Sequence, residues 1–181
     1  MIEKNLGAVV RQLRESRGLS LRTLAELSGF SAAFLSQVEN AQASPSISSM
    51  ERIAHALGVT MGEFFRATEE PRSSIVRAGE RTGLSSQWSR AQIEALGNSQ
   101  PGRKFEGVVI TIQPGGTSGK HAHAVSQEQI AVIFEGELEL TLGDEEHKLA
   151  RGDAVTIRAD APRRWRNASD EPAQVLIVSA C

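Results

Sequence analysis

Two histidines, His121 and His123, stand one residue apart in the stretch HAHAVSQEQ. Alternate residues of a β-strand point to the same face, so a strand here would aim both imidazoles in one direction. Imidazole nitrogens are common ligands of zinc, iron and copper. The spacing indicates half of a metal site, and any function built on it depends on whether the chain supplies further ligands.

The elements that must position these residues fall into two groups with different periodicities. In residues 1–66 apolar residues recur at helical spacing, as Leu6, Val9, Val10 and Leu13 do at i, i+3, i+4 and i+7. From about residue 74 the period changes to two, and short runs rich in β-branched residues predict strands. These runs are GVVITIQPGG, QIAVIFEGELELTLGD, AVTIRAD and AQVLIVSA. The segment LSSQWSRAQIEALGNSQPG is compatible with a short helix or a long loop.

Capping residues divide the first part into five short helices. Ser20 and Ser31 are predicted N-caps of the second and third helices. The capping boxes Ser48-x-x-Glu51 and Thr60-x-x-Glu63 are predicted to open the fourth and fifth. The polar residues 67–73 then predict a linker, which divides the chain into domains at 1–66 and 74–181.

Residues 21–40, LRTLAELSGFSAAFLSQVEN, fit two short helices that meet across a tight turn. Ala25 is small where the helices touch, and Gly29 tolerates the positive φ of the turn. An ordinary helix pair in a bundle is the alternative interpretation. With this motif and the ending ASPSISSMERIAHALGVTMGEFF, residues 1–66 resemble the Xre-type, phage-repressor-like transcriptional regulators. The resemblance implies an all-α, five-helix lambda-repressor-like domain that binds double-stranded operator DNA as a homodimer.

The resemblance also implies which residues contact DNA. In this family the third helix lies in the major groove, so its outward residues face base edges. Gln37 is suited to a bidentate contact with adenine, while Arg22 and Ser31 are suited to phosphates. The predicted DNA-binding residues are Arg22, Ser31, Ala32, Ala33, Ser36, Gln37 and Asn40. The family further suggests an internal ion pair between Arg14 and Glu39.

The second part resembles a cupin, an all-β double-stranded β-helix or jelly-roll barrel. The resemblance covers residues 103–180 and rests on PGG…HAH, FEGELELTLGD, LARGDAVTI and RRWRN. Cupins hold a metal with His, His, Glu and His, and the matching positions here are His121, His123, Gln129 and Arg163. Glu128 fits the spacing of the cupin motif when residues are counted forward from His123, but it would point to the opposite face of its strand. A guanidinium cannot bind a metal, so we expect no metal and no cofactor.

Arg163 offers a planar fork that suits a carboxylate or phosphate. We expect a small, carboxylate-bearing effector to bind a pocket formed by His121, His123, Gln129, Arg163 and Trp165. The alternative is that Arg163 is neutralised by Glu128 or another acid and that the histidines are ordinary core residues.

Three functions remain open at this point. The first is a transcriptional regulator with a C-terminal effector sensor. In that case the chain is not an enzyme. The second is a metalloenzyme that resembles mononuclear-iron oxygenases or epoxidases, and the third is a DNA-binding module whose barrel only dimerises. The sequence leaves open whether a regulator would repress or activate.

Composition sets broad limits on these functions. The net charge of −2 permits DNA binding but does not argue for it. The single cysteine, Cys181, cannot form an intrachain disulfide. The segment MIEKNLGAVVRQLRES lacks the apolar run of a signal peptide, and no run reaches the roughly 18–20 apolar residues that cross a bilayer. We therefore expect a cytoplasmic protein with no membrane partner.

Overall fold

The computed structural model describes residues 2–3, 6–66, 75–97 and 104–180. The predicted linker, residues 67–73, lies outside the described residues. The helices precede the strands along the chain, except for a two-residue strand at the start. The structure thus agrees with a helical N-terminal part and a β-rich C-terminal part.

The helical part packs around one apolar core. Four helices of eight to eleven residues are followed by a six-residue helix: α1 Leu6–Ser16, α2 Leu21–Ser28, α3 Ala32–Glu39, α4 Ile47–Ala56 and α5 Met61–Arg66. Val10, Leu24, Leu35 and Met50 are fully buried and come from four different helices. Burying side chains of this size contributes about 1.5–3 kcal/mol each, which makes these positions the main source of stability in this part.

The α2–α3 pair has the predicted caps. The Ser20 hydroxyl accepts a hydrogen bond from the backbone N–H of Thr23, and the Ser31 hydroxyl accepts one from Phe34. Gly29 ends α2 with φ +68°, a left-handed conformation that glycine adopts without strain. The predictions for the two N-caps and the turn glycine are confirmed.

The fourth helix begins close to Pro45, as its sequence predicts, but the predicted capping box is wrong. Ser46, and not Ser48, is the N-cap, and its hydroxyl accepts a hydrogen bond from the backbone N–H of Ser49. Ser48 and Glu51 lie inside the helix, so they do not form a capping box. Three of residues 46–49 are serines, so the sequence offers several possible N-caps for this helix. Ser46 is the cap because it has the extended backbone that a cap requires.

The ion pair between α1 and α3 is confirmed. Arg14 Nε lies 2.7 Å from Glu39 Oε1, and Arg14 Nη2 lies 3.0 Å from Glu39 Oε2, so the contact is bidentate. The side chains of Glu39 and Arg14 are 2% and 12% exposed. The hydrogen bond from Arg14 to Glu39 raises the pKa of the guanidinium, although burial opposes this shift. This pair holds the third helix on the first.

The β-rich part consists of two sheets that face each other. Its strands are β1 Ile2–Glu3, β2 Thr82–Ser86, β3 Ala91–Ala95, β4 Phe105–Ile112, β5 Gln129–Glu135, β6 Glu137–Leu142, β7 Glu145–Ala150, β8 Ala154–Ile157, β9 Arg163–Arg166 and β10 Ala173–Ala180. The larger sheet has the order β1-β2-β3-β4-β10-β5-β8, and the smaller has the order β7-β6-β9. Ile110, Ile133 and Ile177 of the larger sheet and Leu140 and Trp165 of the smaller are buried between them.

The segment left open between helix and loop contains two strands. β2 and β3 form an antiparallel hairpin, and β3 pairs with β4. Ala91, Ile93 and Ala95 are buried in alternation, which is the period of a strand with one face in the core. The helix-forming residues around Glu94 obscured this alternation, and the pairing partner β4 decides it.

The helical part is docked on the barrel through α4 and the start of α5. The backbone N–H of Ser48 donates to the carbonyl of Ser118 at 3.0 Å, and the N–H of Gly62 donates to Glu106 Oε2 at 2.6 Å. Gly119 makes this approach possible, because a Cβ atom there would lie 2.8 Å from Ser48 Cβ. The two parts therefore touch through backbone groups as well as side chains.

The bidentate Arg14–Glu39 pair leads to a stability prediction. Glu39→Ala leaves a largely buried guanidinium without its partner and should lower the free energy of unfolding by about 2–3 kcal/mol. Urea unfolding followed by the helical circular-dichroism signal measures this. Glu26→Ala is the control, because it removes the exposed Arg22–Glu26 pair and should cost about 0–0.5 kcal/mol. Equal losses in the two variants would contradict the role assigned to Glu39.

Candidate DNA-reading helix and interdomain cavity

The outer face of α3 carries the residues predicted to read DNA. Ala33, Gln37 and Asn40 are exposed, and Ala32 and Ser36 are half-buried. The opposite face of the helix, with Leu35 and Val38, lies in the core. The short apolar and polar side chains on the outer face would let the helix approach base edges closely, and Gln37 lies in the middle of it.

Asn40 has a structural role in addition to any DNA contact. Its carboxamide oxygen accepts a hydrogen bond from Arg11 Nη2 at 2.8 Å, and its nitrogen donates to the carbonyl of Ser36 at 2.9 Å. These bonds fix the end of α3 against α1. Gln37 is therefore the better candidate for direct base contact on this face.

The two predicted phosphate-contacting residues lie at the exposed start of their helices. Arg22 is 88% exposed and forms an i,i+4 pair with Glu26. The hydroxyl of Ser31 is already used to cap α3, so Ser31 would offer a phosphate the backbone donors of the helix N-terminus.

A cavity of about 440 Å³ lies between the barrel and the helices. On one side it is bounded by inward residues of β4, β5 and β10, which include Val108, Gln129 and Ser179. On the other side it is bounded by the α2–α3 turn at Ser28–Gly29 and by α4 at Glu51–Arg52. Cavities of roughly 300–1,000 Å³ are typical of small-molecule sites. The helical part thus forms one wall of the pocket at the barrel mouth.

Glu51 of α4 reaches into the barrel and contacts two of the predicted pocket residues. Its Oε1 lies 3.1 Å from Arg163 Nη2, and its Oε2 is hydrogen-bonded to His123 Nε2. The side chains of Arg163 and Glu51 are only 2% and 12% exposed. Arg163 and His123 come together because their backbones also pair, with reciprocal hydrogen bonds at 2.9 and 3.1 Å.

The charge of Glu51 is maintained by these partners. Burial by itself would raise the pKa of its carboxyl group, but the Arg163 guanidinium and the hydrogen bond from His123 lower the pKa below its usual value. A buried carboxylate that is ionised needs such compensation, because removing one partner leaves an uncompensated charge.

The structure brings together most of the predicted effector-binding residues. His123 and Arg163 meet at Glu51, Gln129 borders the cavity, and Trp165 is buried two residues along the strand from Arg163. His121 does not join them, because it is exposed. The expected strand through both histidines is absent among the described residues, since β5 begins only at Gln129 and His123 forms an isolated bridge.

Several buried polar atoms of the predicted effector-binding residues have no hydrogen-bond partner within the described part of the chain. They are Gln129 Oε1, His123 Nδ1, Arg163 Nε and Trp165 Nε1. Gln129 Nε2 donates to the Ser179 hydroxyl at 2.9 Å, so only the oxygen of this carboxamide lacks a partner. Buried polar groups are nearly always satisfied by protein, water or ligand, so each of these atoms is a candidate ligand contact.

The residues present do not fit the metal that cupins usually hold. Among the described residues no group of three His, Cys, Asp or Glu side chains is close enough to hold a metal ion. The Nε2 of His123 is engaged by Glu51, and the guanidinium of Arg163 would repel a cation at the same place. The hydrogen-bond donors of Arg163 and His123 favour an anion instead.

Sequence reasoning missed Glu51 because it had assigned this residue to a capping box. The alternative interpretation, in which Glu128 or another acid neutralises Arg163, agrees with the structure to this extent: the acid is Glu51 of α4, and Glu128 is exposed. The helical spacing of α4 gives one indication that Glu51 is close to buried residues, because it directly follows the buried Met50. The partner across 112 residues of sequence could only be identified from the fold.

The neighbouring residue, Arg52, contacts the helix-turn-helix motif. Its Nη2 donates to the carbonyl of Ser28 at 2.7 Å, and its guanidinium lies 4.3 Å from the centre of the Phe30 ring. Such a cation–π contact adds about 0.5–1 kcal/mol at a partly exposed site. Two consecutive residues of α4 therefore make different contacts. Glu51 binds Arg163 and His123 of the barrel, and Arg52 binds the α2–α3 turn.

Within the described ranges, no helix is both long and apolar enough to span a bilayer.

Comparisons with known proteins agree with the two parts of the structure. Residues 5–67 match the helix-turn-helix domain family, and residues 108–179 match the cupin domain family. The HTH-type transcriptional regulator PuuR of Escherichia coli (strain K12) is 28% identical over 163 residues, which cover 90% of this chain and 88% of that regulator. The regulator SutR of the same organism is 28% identical over 166 residues, covering 92% of this chain and 89% of that protein.

Solved structures share the arrangement of the whole chain. An HTH_3 family transcriptional regulator from Vibrio cholerae superposes with a TM-score of 0.76 at 24% identity, covering 98% of this chain and 95% of that one. The hydroxypropylphosphonic acid epoxidase from S. wedmorenis superposes with a TM-score of 0.52 at 18% identity, covering 97% and 96%. At these identities the superpositions show the shared fold alone. The chain thus joins a helix-turn-helix domain to a cupin domain, and along most of its length it is similar to HTH-type transcriptional regulators.

Proposed function

We propose that this regulator binds a small, carboxylate-bearing effector at the mouth of its barrel and that binding changes its affinity for operator DNA. The observation that carries the proposal is Arg163, a buried cation beside a cavity whose opposite wall belongs to the DNA-binding part. A guanidinium is suited to a carboxylate through charge and through paired N–H donors. His123, Gln129 and Trp165 supply further polar atoms, while His121 lies outside this arrangement.

The same donor set argues for a sensor and against a metalloenzyme. The epoxidase shares the architecture, but an iron site of two histidines and one carboxylate needs both imidazoles turned inward, each with a nitrogen available to the metal. Here the carboxylate of Glu51 forms an ion pair with Arg163, and His121 is exposed. We therefore infer that the barrel binds a ligand without transforming it and needs no cofactor.

We further propose that operator DNA is read by α3, with α1–α5 forming a phage-repressor-like domain. Gln37 would contact a base edge, Ala32, Ala33 and Ser36 would pack nearby, and Asn40 would orient the helix end. Arg22 and the N-terminus of α3 at Ser31 would bind phosphates, which position the protein without reading sequence. A DNA-binding regulator works where the DNA is, so the protein would act in the cytoplasm.

A homodimer is also proposed, supported by an apolar patch on the larger sheet. Ile130 and Phe134 of β5 are 53% and 61% exposed on the outer face, beside the half-buried Leu176 and Val178 of β10. Contiguous exposed apolar residues on a sheet face are typical of an interface. A second copy of the chain would cover this patch. Helix-turn-helix proteins bind two half-sites about 34–36 Å apart, so two copies are needed to contact both.

The direct test of the function is selection of bound DNA from random sequence, with and without small carboxylic acids. The expected result is a two-fold symmetric operator whose recovery changes when an active acid is present. Recovery of DNA without any sequence preference would contradict operator recognition by α3.

Gln37→Ala should relax the preference at one base position in each half-site. The expected loss of discrimination is about 1–3 kcal/mol at that position, because one bidentate base contact disappears. Binding titrations with single-base operator variants measure it. Arg22→Ala is the control, since it should weaken binding to all sequences alike. Unchanged selectivity in the Gln37 variant would show that the register assigned to α3 is wrong.

Arg163→Met should abolish stabilisation of the protein by carboxylic acids. An acid at about 100 times its Kd adds about 2.7 kcal/mol to the wild-type protein, and this gain appears as a rise in Tm. Arg166→Met is the control, because Arg166 is exposed and pairs with Glu139 on the same sheet. If the Arg163 variant is stabilised as much as wild type, Arg163 does not bind the acid.

Phe134→Lys should convert a dimer into a monomer and weaken operator binding by at least about tenfold, because the two half-sites are then bound independently. Sedimentation equilibrium and operator titration measure the two effects. Trp88→Lys removes an equally exposed aromatic from the β2–β3 turn and should change neither. A dimeric Phe134 variant would place the interface elsewhere.

A further inference from the structure

We propose that Glu51 is an internal carboxylate ligand of Arg163 and His123, that the effector's carboxylate replaces it, and that the released α4 alters the helix-turn-helix motif through Arg52. The inference rests on the proposed effector function and adds its mechanism. It follows from three features of the molecule, which are the position of Glu51, the unpartnered atoms near it and the contacts of Arg52.

Glu51 makes the contacts expected of a bound carboxylate ligand. It enters the barrel pocket from another domain, gives one oxygen to Arg163 and the other to His123, and is largely buried. It also borders the cavity, while its partner Arg163 is 2% exposed. An acid that enters the cavity would pair with Arg163 by exchanging places with this side chain.

The contacts of Glu51 leave part of the site unused. It pairs with Arg163 through Nη2 alone, while Arg163 Nε, on the same edge of the guanidinium, has no partner among the described residues. A carboxylate that is not tethered to a helix could engage both nitrogens in the bidentate geometry that arginine favours. An effector can therefore gain a contact that Glu51 does not make, which is what allows it to compete.

The cavity wall also restricts what accompanies the carboxylate. Gln129 Oε1 is a buried acceptor without a partner in the described structure, so it calls for a donor on the ligand. Glu26, Glu106 and Asp160 also border the cavity and oppose a second negative charge. The preferred effector is thus a small acid with one carboxylate and one N–H donor group, preferably an ammonium.

Arg52 gives the exchange a consequence at the DNA-reading motif. It follows Glu51 in α4 and binds the Ser28 carbonyl and the Phe30 ring at the turn that orients α3. When Glu51 leaves Arg163, α4 loses its ionic contact with the barrel but keeps Arg52 on the turn. A ligand can shift an equilibrium only through different contacts in two states, and here the difference is the Glu51–Arg163 pair.

The test compares wild type with Glu51→Gln and uses three acids of similar length: propionate, β-alanine and succinate. Glu51→Gln removes the internal competitor, so β-alanine should bind it about tenfold more tightly than wild type in calorimetric titrations. β-Alanine should also bind better than propionate or succinate. Glu139→Gln is the control, since it breaks the exposed Arg166–Glu139 pair outside the cavity and should bind as wild type does.

Two further measurements test the coupling. Without any acid, Glu51→Gln should speed amide hydrogen exchange at residues 27–31 and change operator affinity at least about tenfold in the direction that β-alanine produces in wild type. Phe30→Leu removes the ring that Arg52 contacts and lies outside the cavity wall, so this variant should bind β-alanine as wild type does, but its operator affinity should respond less. Circular dichroism checks that each variant is folded.

The outcomes separate this inference from the function on which it rests. Equal acid affinity of wild type and Glu51→Gln, with binding lost in Arg163→Met, would overturn the exchange and leave the effector site standing. Tighter binding by Glu51→Gln without any change at residues 27–31 or in operator affinity would overturn the coupling. No binding of any acid to either protein would overturn both the exchange and the carboxylate effector.

Discussion

The buried contact between Glu51 and Arg163 determines how the two parts of this regulator relate to each other. An arginine that is 2% exposed inside a barrel needs a negative partner, and the barrel's own nearby acid, Glu128, is exposed. The partner comes from α4 of the helical part. The contact between the helical part and the barrel therefore includes a buried pair of opposite charges.

This constraint explains features that otherwise look unrelated. Gly119 allows α4 to approach the barrel closely enough for Glu51 to reach its partners. The hydrogen bond from Ser48 to Ser118 fixes the N-terminal end of α4, and the bond from Gly62 to Glu106 fixes the chain after its C-terminal end. Between these contacts, Arg52 holds the turn before α3. α4 therefore contacts both the barrel, through Glu51, and the turn before α3, through Arg52.

Much of the fold could be predicted from the sequence because the signals were local. The N-caps Ser20 and Ser31, the left-handed Gly29 and the alternating strands each depend on a few neighbouring residues. The family resemblance supplied the Arg14–Glu39 pair. The errors occurred where local signals compete, as in the serine-rich start of α4 and in the β2–β3 hairpin, whose strands are settled by pairing with β4.

The candidate site was less predictable because its chemistry is not local. Alternation along β9 puts Arg163 and Trp165 on one buried face, and Gln129 is buried on the cavity side of β5. The two histidines do not point the same way, because β5 begins six residues after His123 and His121 lies exposed in a bend. In a metal-binding cupin both imidazoles would have to point inward to share one ion. Once an arginine occupies the fourth ligand position, only His123 can assist in holding a carboxylate, so the second histidine is no longer constrained to the pocket.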